Sequence, residues 1–100
     1  MITATINEHG IMVQGHAGHN GGDPIEARQC CEAVGVLCQT LAACIAPDRV
    51  ARKEKGLFIV TTGDDLTEKE TALTEFFLTG LELVAAGYPR DLKINFTDRT

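Results

Sequence analysis

The sequence predicts an α+β fold in which two helices pack on one face of a mostly antiparallel four-stranded sheet, in the order ββαβαβ. Short apolar or alternating segments, typical of strands, flank two longer segments. Each longer segment follows a helix-capping motif and places apolar side chains at every third or fourth residue. The 100 residues are 44% hydrophobic and contain no linker-like stretch, so we expect residues 1–100 to form a single domain.

The N-terminal segment predicts a β-hairpin. Residues 2–6 alternate between apolar side chains and threonine, and residues 11–14 form a second short apolar segment. Between them, residues 7–10 read Asn-Glu-His-Gly, which favours a turn. The glycine-rich residues 18–22 then predict a flexible loop, which separates His16 from the first helix.

The first helix has a clear start. Asp23 is a predicted N-cap, Pro24 occupies the first helical position, and Glu26 follows three residues after the cap. We expect the helix to run from Pro24 to about Ala46, because Pro47 ends it. Its apolar stripe must pack on the sheet and consists of Cys30, Val34, Leu37, Leu41 and Cys44.

The second half contributes two more strands and the second helix. Residues 57–62 are a continuous apolar and β-branched segment, which predicts a central strand. Thr67 and Glu70 form a capping box that begins a helix, and Gly87 lies where that helix stops. Residues 92–96 alternate between apolar and polar side chains, as expected of a last strand with one polar face.

Charge restricts the classes of partner. A net charge of −5 without a dense Lys/Arg stripe argues against direct binding of nucleic acid and favours a basic partner. The basic segment Arg49 to Lys55 is interrupted by apolar and acidic residues, so we interpret it as a solvated turn or strand edge and not as a binding patch. A short chain buries a modest core, which makes homodimerisation the default expectation.

Other features bear on location. No apolar run approaches the length of a membrane span, and the N-terminus lacks the pattern of a signal peptide. The four cysteines, at positions 30, 31, 38 and 44, fall within one predicted helix, where they are poorly placed to bridge one another. We therefore expect reduced thiols in a cytoplasmic protein that does not bind membranes.

A histidine and a cysteine form a candidate catalytic pair. His16 lies between Gly15 and Ala17 at the end of a strand, and Cys31 follows fifteen residues later in the first helix. Because the thiolate is the attacking species, a nearby imidazole can activate the cysteine as a base. The alternative is that His16 makes an ordinary hydrogen bond and Cys31 packs as a small apolar residue. Cys30 lies about 100° away around the helix, so only one of the two thiols should face His16.

Metal and redox sites are less well supported. His16, His19, Cys30 and Cys31 include ligand types that zinc accepts, but they lack the paired spacing of structural zinc sites. The C-x-x-C motif of thiol exchange is absent as well. We expect neither a metal nor another cofactor.

Five short motifs extend over nearly the whole chain: Gly15-His16-Ala17, Gly22-Asp23, Cys31-x-Ala33-Val34-Gly35, Gly80-Leu81-x-Leu83 and Tyr88-Pro89. Together they resemble the bacterial ribosomal-processing cysteine proteases, called Prp. The resemblance implies a small, dimeric α/β enzyme that removes a short N-terminal extension from a large-subunit ribosomal protein, cutting after a pair of aromatic residues. A similar tail on a phage structural protein is a second candidate substrate.

The resemblance also implies roles for individual residues. His16 would be the general base and Cys31 the nucleophile of an acyl transfer. Asp23 is the nearest candidate to orient the imidazole, and the glycine-rich loop would be a mobile gate for substrate. An acidic surface suits a protein substrate with a basic N-terminal tail.

One departure from the family pattern leaves an alternative open. The segment from His16 to Cys31 is longer than in the family, and an alignment on Asp23 would put Glu26 at the position of the nucleophile. With that alignment, the chain would be a catalytically inactive, Prp-like peptide-binding module. The alignment that places Cys31 at the position of the nucleophile also matches Ala33 and the following apolar helix to the family pattern, and we prefer this alignment.

Overall fold

The computed structural model describes residues 1–16 and 23–97. In chain order, the elements are β1 (Ile2–Asn7), β2 (Gly10–Gly15), α1 (Pro24–Cys44), a short 3-10 turn (Pro47–Arg49), β3 (Val50–Glu54), β4 (Leu57–Thr61), α2 (Glu68–Gly87) and β5 (Leu92–Phe96). The predicted hairpin, both helices and the strands at 57 and 92 are confirmed. Helix α1 ends at Cys44, two residues before the predicted end, because Ile45 and Ala46 already have extended backbone angles.

The strands form one mixed sheet in the spatial order β3-β4-β2-β1-β5. The pairs β1/β2, β2/β4 and β3/β4 are antiparallel, and β1/β5 is parallel. The α+β class and the mostly antiparallel sheet are therefore confirmed. The prediction of four strands is wrong, because β3 adds a fifth at the edge of the sheet.

Strand β3 lacks the apolar alternation by which strands are usually recognised. Four of its five residues are exposed, and only Val50 is half-buried. Its backbone pairs with β4 through an irregular register between Val50 and Arg52. Charged side chains and an irregular register are common on edge strands, where they discourage pairing with another chain. The interpretation of residues 49–55 as a solvated turn or strand edge agrees with this position for β3, whereas Arg49 lies in the 3-10 turn with a side chain that is only 16% exposed.

The core lies between the sheet and the two helices. Alternate residues of β1, β2, β4 and β5 are buried on one face, as the period of a strand requires. These residues are Ile2, Ala4, Ile11, Val13, Phe58, Val60 and Leu92. The helices cover this face; the rings of Phe58 in β4 and Phe77 in α2, for example, have centroids 6.1 Å apart.

An ion-pair network joins the start of β3 to the start of α2. The Nε of Arg49 lies 3.3 Å from Glu70 Oε2, and its Nη1 lies 3.2 Å from Asp65 Oδ1. Glu70 also accepts a hydrogen bond from the backbone nitrogen of Thr67, which completes the predicted capping box. The hydrogen bond from Thr67 and then the Arg49 guanidinium lower the pKa of Glu70, and the two carboxylates raise the pKa of Arg49.

Candidate active site

A cleft of about 520 Å³ lies between α1 and the hairpin formed by β3 and β4. Its buried lining is apolar and includes Ile2, Val13, Val34 and Phe58. Its exposed lining is mostly polar and comes from the end of β2, from Gln39 in α1 and from residues 53–55 of the β3–β4 hairpin. A cleft of this size can hold a short extended peptide segment.

His16 follows the last residue of β2 and lines the cleft. Its side chain is exposed, and its carbonyl oxygen accepts a hydrogen bond of 2.7 Å from the backbone nitrogen of Met1. The imidazole lies against Gly56 in the β3–β4 turn, so closely that a Cβ atom on Gly56 would lie 2.6 Å from Nε2. The turn therefore bounds the position of the ring on one side.

The same turn is bonded to the end of β2. The backbone nitrogen of Gly15 donates to the carbonyl oxygen of Gly56 at 3.0 Å. Gly56 has a φ of +81°, a left-handed conformation that glycine adopts without the steric cost of a Cβ atom. These contacts bring the β3–β4 turn beside His16, although forty residues separate them in sequence.

Cys31 lines the cleft from α1 and is half-buried. The structure thus brings His16 and Cys31, which the sequence singles out, to one cleft. The neighbouring Cys30 points into the core and is 0% exposed. Burial, followed by the nearby charges of Asp91 and Cys31, raises the pKa of the Cys30 thiol to about 11. Of the two adjacent thiols, only Cys31 shares the cleft with His16.

Cys38 is a second thiol in the cleft, two helical turns after Cys31. It is half-buried against the core, and burial raises its pKa to about 12. A thiol with such a pKa is protonated near neutral pH and is a poor nucleophile. Cys38 thus packs as a small apolar residue at the edge of the core.

Asp23 caps the first helix. Its Oδ1 accepts a hydrogen bond of 2.9 Å from the backbone nitrogen of Ile25, and Asp23 is not among the residues that line the cleft. Because α1 begins at Pro24, Cys31 is its eighth residue. The field of a helix N-terminus fades within the first turn, so it contributes little at Cys31.

Two expectations fall on residues outside the described ranges. The glycine-rich loop at 18–22, expected to be a gate, and His19, considered as a zinc ligand, are both among them. Within residues 1–16 and 23–97, no three His, Cys, Asp or Glu side chains converge as a metal site would require. In the same ranges, neither α1 nor α2 is apolar over a length that crosses a bilayer.

The β3–β4 hairpin supplies the part of the site that sequence reasoning missed. Lys53, Glu54, Lys55 and Gly56 line the cleft opposite α1. The available signal was the Lys55-Gly56 pair directly before the apolar strand at 57, which is typical of a tight turn. Because the segment before it lacks an apolar pattern, the hairpin was not predicted.

Solved structures share this fold. SMU.848 from Streptococcus mutans superposes with a TM-score of 0.73 at 23% identity, covering 99% of this chain and 96% of that chain. The essential ribosomal processing protease Prp from S. aureus, in complex with a covalently linked product peptide, has a TM-score of 0.68 at 16% identity over 97% of this chain. A second structure of that protease, in complex with a substrate peptide, gives the same values. The sequence matches no protein-family model and no curated protein.

Proposed function

We propose that the protein is a cysteine endopeptidase in which Cys31 is the nucleophile and His16 the general base. One observation carries the proposal: two side chains from different elements, a strand end and a helix, line the same peptide-sized cleft. A thiol and an imidazole are the two groups that covalent acyl transfer requires. The shared fold supports the proposal, since the S. aureus protease has been captured with peptides.

The proposed reaction proceeds in two stages. His16 accepts the proton of the Cys31 thiol, and the thiolate attacks the carbonyl carbon of the scissile peptide bond. The C–N bond then breaks, and the protonated imidazole donates its proton to the leaving amine. In the second stage, water attacks the thioester while His16 takes its proton, which releases the carboxylic acid and restores the Cys31 thiol.

The apolar lining of the cleft favours a substrate with large apolar side chains beside the cleaved bond. This preference is compatible with the pair of aromatic residues that the resemblance to Prp implies. By that resemblance, the candidate substrates are the basic N-terminal tail of a large-subunit ribosomal protein and a similar tail on a phage structural protein. A cytoplasmic homodimer belongs to the same proposal.

A second candidate function is a catalytically inactive peptide-binding module. The observation that favours it is the early start of α1, which leaves Cys31 two turns inside the helix and without activation by the helix N-terminus. In this case the cleft would still bind a peptide, but Cys31 would have no special reactivity.

Peptide cleavage separates the two candidates. The substrates are peptides that share a paired-Phe site and differ in the charge of the flanking residues, and the products are identified by mass spectrometry. We expect wild type and Cys30→Ser to cleave, and Cys31→Ser and His16→Ala to lose cleavage. Binding without cleavage by the wild type would favour the inactive module. Cleavage that survives in Cys31→Ser would contradict the proposed dyad.

A further inference from the structure

The net charge of the chain and the charge of its cleft have opposite signs. The whole chain carries −5, which by itself favours a basic partner. The exposed lining of the cleft instead includes Lys53 and Lys55, on the hairpin that faces α1. The charge that a bound peptide meets is therefore set by this hairpin.

The acidic residue between the two lysines does not cancel them. Glu54 also lines the cleft, but its Oε2 lies 2.8 Å from Nη2 of Arg52 and accepts a second hydrogen bond, of 3.0 Å, from Arg52 Nε. Arg52 thus offsets the charge of Glu54 within the same strand. Among the residues that the structure describes, Lys53 and Lys55 form no salt bridge.

The lining of the cleft contains few carboxylates. Glu54 is the only acidic residue among the described residues that line the cleft. In sequence, residues 17–22 contain no Asp or Glu. Among the described lining residues, the lysines therefore outnumber the carboxylates.

Two of the fourteen acidic residues, Asp64 and Asp65, lie beyond the opposite end of β4. This strand begins beside the cleft at Leu57 and ends at Thr61, and Asp64 and Asp65 follow that far end. Four residue steps along a strand span about 13 Å. This length exceeds the screening distance of about 8 Å at physiological salt. The lysines therefore dominate the field at the cleft over these two aspartates.

We infer that the peptide segment bound along the β3–β4 hairpin is acidic, with an Asp or Glu beside the apolar residues that enter the cleft. This inference rests on the proposed function and assigns it an acidic substrate segment at the β3–β4 hairpin, in place of the basic flanking sequence that the resemblance to Prp implies. Lys53 and Lys55 are the specificity-determining residues, and the carboxylate of the substrate is their partner. The apolar lining and the two ammonium groups together select an apolar–acidic sequence over an apolar–basic one.

Two matched peptides test the inference. Both contain paired Phe, which in one is flanked by Glu and in the other by Lys. We expect kcat/KM of the wild type to favour the acidic peptide by about tenfold at low salt, the size that two exposed ion pairs can supply. The preference should shrink as the salt concentration rises to about 0.5 M, because exposed charges are screened.

Two double variants distinguish an effect of the cleft lysines on peptide preference from an effect of the net charge of the whole chain. Lys53→Gln/Lys55→Gln should abolish the preference for the acidic peptide. The control, Lys69→Gln/Lys93→Gln, removes the same charge at exposed positions of α2 and β5 outside the cleft lining, and should keep the preference. Equal cleavage of both peptides, preference for the Lys-flanked peptide, or an equal loss in both double variants would overturn the inference.

Binding distinguishes failure of the inference from failure of the proposed function. Fluorescence anisotropy with the Cys31→Ser protein measures the affinity for both labelled peptides without cleavage. Tighter binding of the acidic peptide with no cleavage by the wild type would support the charge preference and contradict the endopeptidase. Cleavage of both peptides at equal rates and with equal affinity would support the endopeptidase and contradict the charge preference.

Discussion

The imidazole of His16 occupies the space that a side chain at Gly56 would fill. A Cβ atom at Gly56 would lie 2.6 Å from Nε2 and 3.0 Å from Cε1, distances that side-chain atoms do not tolerate without movement. The turn between β3 and β4 thus has room for the proposed base only because residue 56 is glycine. Gly56 is in this sense a positioning residue, which acts on the reaction through His16.

Gly56→Ala should impair cleavage more than it impairs folding. The new methyl group displaces the imidazole from its position in the cleft, so we expect kcat/KM for a peptide substrate to fall by tenfold or more, on the order of 1.4 kcal/mol. The left-handed backbone at this position adds a stability cost of about 1 to 2 kcal/mol for a residue with a Cβ atom. Steady-state kinetics and urea unfolding measure the two effects separately.

The control for this prediction is Gly87→Ala. Gly87 ends α2, has no positive φ, and has no atom within 4 Å of the position that a Cβ would take. Its kinetics should match those of the wild type. A Gly56→Ala protein that cleaves at the rate of the wild type would show that the turn does not position His16.

This contact also illustrates what the sequence can and cannot predict. The alternation in β1 and the caps at Asp23 and Thr67 are local signals, and the elements that they predict are confirmed. The contact of Gly56 with His16 depends on the pairing of β4 with β2 and of β3 with β4, which brings distant segments together. Because β3 buries almost none of its side chains, nothing in its apolar pattern predicts that pairing.

The choice between the adjacent cysteines has a similar explanation. The helical period requires that Cys30 and Cys31 face different directions, and this can be stated from sequence. Which of them enters the core depends on the sheet face that α1 covers. The structure buries Cys30 against that face and leaves Cys31 in the cleft.

The Arg49–Glu70 pair should make stability depend on acid pH. The pKa of Glu70 is lowered by its hydrogen bond from Thr67 and by Arg49, so its carboxylate stabilises the folded state above its ordinary pKa of 4.5. This contribution is lost as the pH falls through the lower pKa of the folded state. Glu70→Gln should therefore lower the free energy of unfolding at pH 7. The difference in that free energy between the variant and the wild type should narrow as the pH falls below about 4.

Urea unfolding at both pH values measures this effect. The matched control is Glu68→Gln, which removes an exposed carboxylate from the same first turn of α2. Glu68→Gln should lose less free energy of unfolding at pH 7 than Glu70→Gln does, and this loss should change less with pH. If the loss in free energy of unfolding caused by Glu70→Gln stayed constant from pH 7 to acid pH, it would contradict the role assigned to the ionised carboxylate.

The four thiols should differ in their reactivity toward iodoacetamide. Burial raises the pKa of Cys30 to about 11 and that of Cys38 to about 12, so at pH 8 their thiolate fractions are about a thousandth or less. Cys44, which its spacing predicts to pack on the sheet, is instead exposed on the last turn of α1 and provides an internal reference for an accessible thiol. We expect Cys31, which lines the same cleft as His16, to react faster than Cys44, and Cys30 and Cys38 to react last.

Peptide mapping by mass spectrometry over a time course, in the folded protein and in urea, measures these rates. In urea the four rates should converge, because burial no longer distinguishes the thiols. His16→Ala should slow the alkylation of Cys31 and leave that of Cys44 unchanged, since the imidazole acts as a base only at the cleft. Equal rates for Cys31 and Cys44 in the folded wild type would instead support the inactive peptide-binding module, because a module that only binds peptides has no need for an activated thiol.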